Sequence, residues 1–131
     1  MEWKAQYQLK HPPMDEMHQE FVKCVTALSN ADDAAANTVL AALIAHSERH
    51  FAQENRWMEE SGFPPAPCHT EEHSRVLTSL KEILALSTRG DPGLGRVVAG
   101  EMERWFEQHA ATMDTALAIH MRRAGYVPTA D

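Results

Sequence analysis

Five histidines and two carboxylates recur along this 131-residue chain at helical spacings, each set beside apolar residues. His18 lies between Met17 and Phe21. His50 and Glu54 are four residues apart next to Phe51 and Trp57, and His69 and His73 repeat that interval one turn ahead of Val76 and Leu77. Side chains four apart leave a helix on the same face, so each pair points into one place. His109 follows Trp105 by four residues and Asp114 comes five further on. Five residues turn about 140° round a helix, so simple face geometry does not account for that last interval.

Burying such groups without partners costs about 1–3 kcal/mol each, a heavy load on a domain whose total stability is about 5–15 kcal/mol. A metal would satisfy them, because neutral imidazole nitrogen and carboxylate oxygen are the usual ligands of divalent iron, zinc, copper and nickel. His18, His50, Glu54, His69, His73, His109 and Asp114 are too many donors for one tetrahedral zinc. Two six-coordinate ions accommodate them. Five imidazoles take five positions, two bridging carboxylates four and a bridging oxo or hydroxo two, which leaves one open position where a small molecule binds.

The elements that must position these groups are separated by clear breakers: HPP at 11–13, SNADD at 29–33, SGFPPAP at 61–67, TRGDPGLG at 88–95 and AGYVP at 124–128. After an arm over residues 1–12, four helices are expected at about 13–29, 33–60, 67–88 and 92–123. The first carries Met14, Met17, Phe21, Val25 and Leu28 on one stripe. The second carries Leu40, Leu43, Ile44, Ser47, Phe51, Trp57 and Met58, with Gly62 as its stop. The third carries Val76, Leu77, Leu80, Ile83 and Leu84. The fourth opens near Pro92 and carries Val97, Val98, Met102, Trp105, Phe106, Met113 and Leu117. Gly95 and Gly100 near its start each cost about 1 kcal/mol of helix propensity. Short loops make sequence neighbours antiparallel, so the expected fold is all-α, a single domain built as an up-down-up-down antiparallel four-helix bundle.

Composition agrees with a soluble globular chain, 44% apolar and 24% charged. A formal charge of −7 argues against nucleic acid as a partner, since phosphate attracts basic faces. No run reaches the roughly 18 apolar residues of a membrane span, and the N-terminus has no signal-peptide core, so no membrane partner is expected. Cys24 and Cys68 form no CxxC pattern and no disulfide framework, which suits a reducing cytoplasm.

The pieces MDEMHQEF, HFAQEN, HTEEH and WFEQHAATMD come in a fixed order, with a GFP turn before the third helix and the arm MEWKAQY in front. In these the chain resembles the hemerythrin family, in particular its single-domain bacterial members, from the first residues to about Asp114. The resemblance implies a non-haem centre of two iron ions, Fe2+ or Fe3+, with a bridging oxo or hydroxo, that binds dioxygen reversibly for transport, storage or scavenging. It implies that His69, His73 and His109 hold one iron and His18 and His50 the other, with Glu54 and Asp114 bridging. The open position belongs to the iron with two histidines. On this reading the chain is a binding protein and not an enzyme, dioxygen is its partner, and no protein partner is identified.

Phe21, Phe51, Trp105, Phe106 and Ala110 are the candidates to line an apolar oxygen pocket, the aromatic four serving either as its wall or as core packing alone. Ala110 stands where the family frequently has a larger aliphatic residue, and Phe106 where leucine is common. Asn55 replaces a frequent second glutamate after Glu54, and little effect on the metals is expected because it lies off the ligand face. His46, one turn before His50, is expected to support the site or lie at the surface, as are His11 and His120; Cys24 is expected to pack and Cys68 to be a passive thiol.

Two other classes compete. A di-iron oxidase or peroxidase is disfavoured because ferritin-like enzymes use Glu-x-x-His pairs, and this chain has none. An oxygen or redox sensor would need a separate output partner, since only GYVPTAD is expected beyond the last helix.

Overall fold

The structure, a computed structural model, describes residues 1–128. The last three residues of the GYVPTAD tail lie outside them. Helix α1 spans Pro12–Asn30, α2 Asp33–Ser61, α3 Ala66–Thr88, α4 Leu94–His109 and α5 Thr115–Ala124. A π-helical segment, Ala110–Asp114, joins the last two, so α4, the π segment and α5 together form the fourth rod of the bundle. Consecutive rods pack side by side and α4 closes back on α1, giving the up-down-up-down bundle.

Local chemistry sets the ends. At α1 the prolines occupy the first turn, where no intrahelical N–H is needed, and Met14 N–H donates to His11 Nδ1 at 3.3 Å. Asp32 caps α2 by accepting from Ala35 N–H at 2.9 Å. Gly62, at φ +69°, turns the chain out of α2 while Phe63 N–H returns to Met58 O at 3.0 Å. Gly125 ends α5 in the same way, with Tyr126 N–H on Met121 O at 2.9 Å.

The expected fourth helix over 92–123 needs two corrections. Residues before Leu94 form a turn closed by Leu94 N–H to Asp91 O at 3.2 Å, so α4 begins two residues later than expected. The rod is also not one continuous α-helix: in the π segment Thr115 N–H donates to Ala110 O, a five-residue step that inserts an extra residue into the turn. Val97, expected on the inner stripe, is 62% exposed.

The arm is tied down. Its 3-10 turn Ala5–Tyr7 buries the Tyr7 ring edge-on against Phe106 at 4.9 Å, and Lys4 pairs with Glu107. Leu9 N–H and His11 N–H both donate to the Asp15 carboxylate, at 2.7 and 3.1 Å.

Along α1, α2 and the fourth rod the buried residues change from apolar to polar and back, and in α3 they pass from His69 and His73 to Val76 and Leu80. One apolar cluster contains Phe21, Val25, Leu43, Phe51, Val76 and Phe106, and a second contains Met14, Trp57, Met58, Leu117 and Met121. Between Met14 and Phe21 comes His18, between Phe51 and Trp57 comes Glu54, and between Ala110 and Leu117 comes Asp114. The core is thus cut by a polar layer about one helical turn thick.

Gly95 and Gly100, equal liabilities by propensity, differ in context. A Cβ at Gly95 would lie 3.2 Å from Leu28 Cδ1 and 3.6 Å from Ala36 Cβ, so this glycine lets α4 sit close on α1 and α2. At Gly100 a Cβ would meet only the end of Arg104 at 3.9 Å. Gly95→Val should therefore cost about 1–3 kcal/mol by overpacking, while Gly100→Ala should add about 0.4–1 kcal/mol. Urea denaturation of the two variants checks both signs.

Candidate metal centre

Each rod contributes to the polar layer. α1 brings His18, α2 brings His50 and Glu54, α3 brings His69 and His73, and the fourth rod brings His109 and Asp114. All seven are buried, with Glu54 and His18 at 0% exposure. Their donor atoms fall into two groups that share Glu54: Glu54, His69, His73, His109 and Asp114 on one side, and His18, His50 and Glu54 on the other, each group within 4.8 Å.

The two carboxylates divide their oxygens between these sides. Glu54 Oε2 lies 2.8 Å from His50 Nε2 and 3.9 Å from His18 Nε2, whereas Oε1 lies 3.3 Å from His73 Nε2 and 3.6 Å from His69 Nε2. Asp114 Oδ2 lies 3.0 Å from His18 Nε2, whereas Oδ1 lies 3.2 Å from His69 Nε2 and 3.1 Å from His109 Nε2. His69 Nε2 and His109 Nε2 are themselves 3.1 Å apart. Three imidazoles therefore crowd one end of the carboxylate pair and two the other.

The π segment is what makes Asp114 part of this layer. In a regular helix it would point about 140° away from His109. The extra residue in the turn rotates Asp114 back, so that its Oδ1 reaches His109 Nε2. Thr115 Oγ1 supports the widened turn by donating to Ala110 O at 2.7 Å.

The donor set fits a metal pair on its own chemistry. Glu54 Oε1, Asp114 Oδ1 and His73 Nε2 are buried and have no hydrogen-bond partner among the described residues, although each has other donor atoms close by. Atoms that crowd together without pairing are arranged as ligands of a shared ion are. Burial and the nearby Asp114 push the Glu54 carboxyl up, but the imidazoles of His50 and His73 outweigh both and hold it at about 2. Asp114 is likewise held well below the usual carboxylate range, its burial overcome by His109, His18 and His69. Both carboxylates are thus ionised and available as ligands at neutral pH. Burial lowers His73; for His18 and His109 burial is the largest single effect, but Asp114 and Glu54 together raise both above the ordinary imidazole value.

The rings behind the donors are aromatic. Phe51 stacks on His73 with centroids 4.1 Å apart and planes 3° from parallel, and Trp105 stacks on His109 at 4.4 Å. Phe106 meets His18 edge-on at 5.0 Å, and Phe21 meets His50 edge-on at 6.4 Å while stacking on Phe106 at 4.7 Å. Ala110 is fully buried beside them in the same apolar cluster. A surface groove of about 790 Å³ between α1 and α2, lined by Pro12, Met17, His46, Arg49 and Trp57, reaches His50.

One residue departs from expectation and others take defined places. Asn55 does not stand apart from the ligands: its Oδ1 accepts from His73 Nδ1 at 2.8 Å. One position past Glu54 it faces sideways towards α3, a contact that helical periodicity within α2 does not reveal. The backbone oxygen of Tyr7 accepts from His18 Nδ1 at 3.2 Å, a role for the arm with no side-chain signature in the sequence. His46 is buried against His50 with ring centroids 5.4 Å apart, and burial lowers it to about 4. His11 is buried as the α1 cap, and His120 Nε2 donates to Ser61 O at 2.9 Å, tying α5 to the end of α2. Cys24 is half-buried against the core and Cys68 is exposed.

Residues 12–118 match the Hemerythrin HHE cation binding domain. The chain is 36% identical over 125 residues to the Bacteriohemerythrin of Ralstonia nicotianae, an alignment covering 95% of this chain and 91% of that protein. It is 32% identical over 84 residues to the Myohemerythrin of Riftia pachyptila, covering 63% of this chain and 68% of that one. With the family domain matching residues 12–118, most of the bundle, and a buried layer of histidines and carboxylates assembled from all four rods, this chain belongs to the hemerythrin family.

Proposed function

We propose that the protein binds dioxygen reversibly at a di-iron centre and acts as a carrier, store or scavenger rather than as an enzyme. The observation that carries this reading is the division of Glu54 and Asp114, each with one oxygen towards the three-imidazole end and the other towards the two-imidazole end. On this reading His69, His73 and His109 hold one iron, His18 and His50 hold the other, and the carboxylates bridge. Two ions with unequal protein ligation leave the less fully ligated one with room for a small molecule. The family match and the two hemerythrin relatives support the assignment.

When bound, the iron pair supplies the electrons for reversible capture of dioxygen. The chain's own residues supply the setting. Phe21 and Phe106 cover the His18 and His50 imidazoles with apolar surface, which keeps water and stray protons from that side. Phe51 and Trp105 fix the ring planes of His73 and His109 by stacking. Seven ligands on four rods also make metal binding a cross-link of the bundle, so binding free energy is folding free energy. Among the described residues no helix is long and apolar enough to cross a membrane.

Three outcomes are expected. Iron-loaded, anaerobically reduced protein should gain a charge-transfer absorption band on admission of oxygen and lose it on degassing; a band that instead decays irreversibly with release of peroxide would sink the carrier reading. Glu54→Ala or His73→Ala should lose at least one of two bound ions by metal analysis, together with the stabilisation of about 2.7 kcal/mol that a ligand at a hundred times its Kd confers. A variant that keeps full metal content refutes the ligand assignment. Because His18 and His109 are raised above the usual 6.5 in the metal-free protein, protons compete for their Nε2 atoms around and above that value. Metal affinity should therefore climb as pH rises through and beyond 6.5, and fall on acidification, as followed by chelator competition.

A further inference from the structure

A metal-bound imidazole ordinarily donates its second ring N–H to a neighbour, and that neighbour sets the tautomer, the ring orientation and the basicity of the ligand. Among the five candidate ligand histidines, His18 Nδ1 faces the backbone oxygen of Tyr7, and the Nδ1 atoms of His50 and His109, like that of His69, have no hydrogen-bond partner among the described residues. His73 alone has a side chain there, Asn55, at 2.8 Å. The same ring is stacked on Phe51, four residues before Asn55 on α2. Phe51 therefore fixes the plane of the imidazole and Asn55 its rotation within that plane, while His73 Nε2 is left towards Glu54 Oε1 at 3.3 Å.

The acceptor is a neutral amide. A carboxylate at this place would draw the Nδ1 proton towards itself, give the imidazole more anionic character and strengthen it as a donor, which stabilises the more highly charged state of the ion. An amide leaves the proton on the ring.

We propose that Asn55 is a positioning residue for the metal centre: it fixes His73 as the Nδ1–H tautomer with Nε2 turned to the ion, and its neutral amide holds the pair nearer the reduced, oxygen-competent state. The inference rests on His73 being a metal ligand.

The test compares wild type with Asn55→Leu, which removes the acceptor, and Asn55→Asp, which keeps the shape and adds charge. Cobalt(II) affinity by chelator competition should fall about 10- to 100-fold at one of the two sites in the leucine variant, the usual loss when the hydrogen-bond partner of a metal ligand is removed. The reduction potential of the iron-loaded aspartate variant at pH 7 should fall, by about 59 mV if the ferric-to-ferrous preference shifts tenfold. Wild-type potential in the aspartate variant would overturn the proposal, and this arm stands even if the leucine variant does not fold. Unchanged cobalt affinity in a folded leucine variant would overturn it as well. Wild type that takes up fewer than two cobalt ions would overturn the ligand assignment itself, and the proposal with it.

Discussion

Two ionised carboxylates and five imidazoles have to stay dry in the middle of a small bundle, and the fold is organised around that requirement. Glu54 and Asp114 are at or within 1% of complete burial and both are held in the charged state by surrounding histidines. Desolvating such groups works against folding, and their mutual contacts offset it only in part, because several of the donor atoms face one another without hydrogen bonds. Apolar clusters above and below the layer hold the rods together while the layer itself opposes them. A cation at that point reverses the sign of the layer's contribution, which is why the proposed metal pair is as much a structural element as a functional one.

The same demand explains the one irregularity inside a helix. A regular α-helix places either His109 or Asp114 in the layer, not both. The π segment Ala110–Asp114 gives up regular hydrogen bonding for one turn, and Thr115 makes good part of it through Ala110 O. An insertion of this kind is tolerated where it serves a site and is otherwise selected against by its poorer geometry. Here it carries the fourth rod's carboxylate to the centre of four helices.

The two sides of the layer are built differently. On the three-histidine side two of the imidazoles are stacked face to face on Phe51 and Trp105, and Asn55 accepts a hydrogen bond from one of them. The two-histidine side meets edges of Phe21 and Phe106 and is reached by the groove between α1 and α2. The two sides thus differ in how their imidazoles are backed, by stacked ring faces on one and by ring edges on the other.

Local signals were enough to place the four rods, most of their ends and six of the seven donors that converge, Asp114 being expected only from the resemblance to the family, because periodicity, glycine and proline breaks and four-residue pairs all act within one helix. Gly62 and Gly125 end their helices as glycine's freedom at positive φ prescribes, and Asp32 caps α2 as its side chain allows. The contacts between helices were not legible in this way. The turn that brings Asp114 round is a π step whose stability comes from the layer it serves, so a regular helical reading of that stretch points Asp114 the wrong way. Gly95 is explained by Leu28 and Ala36, Asn55 by His73, and the arm by His18, and in each case the partner belongs to a different element. Such contacts follow from how the rods rotate and slide against one another to bury their stripes, a collective balance of packing and desolvation that no single segment encodes.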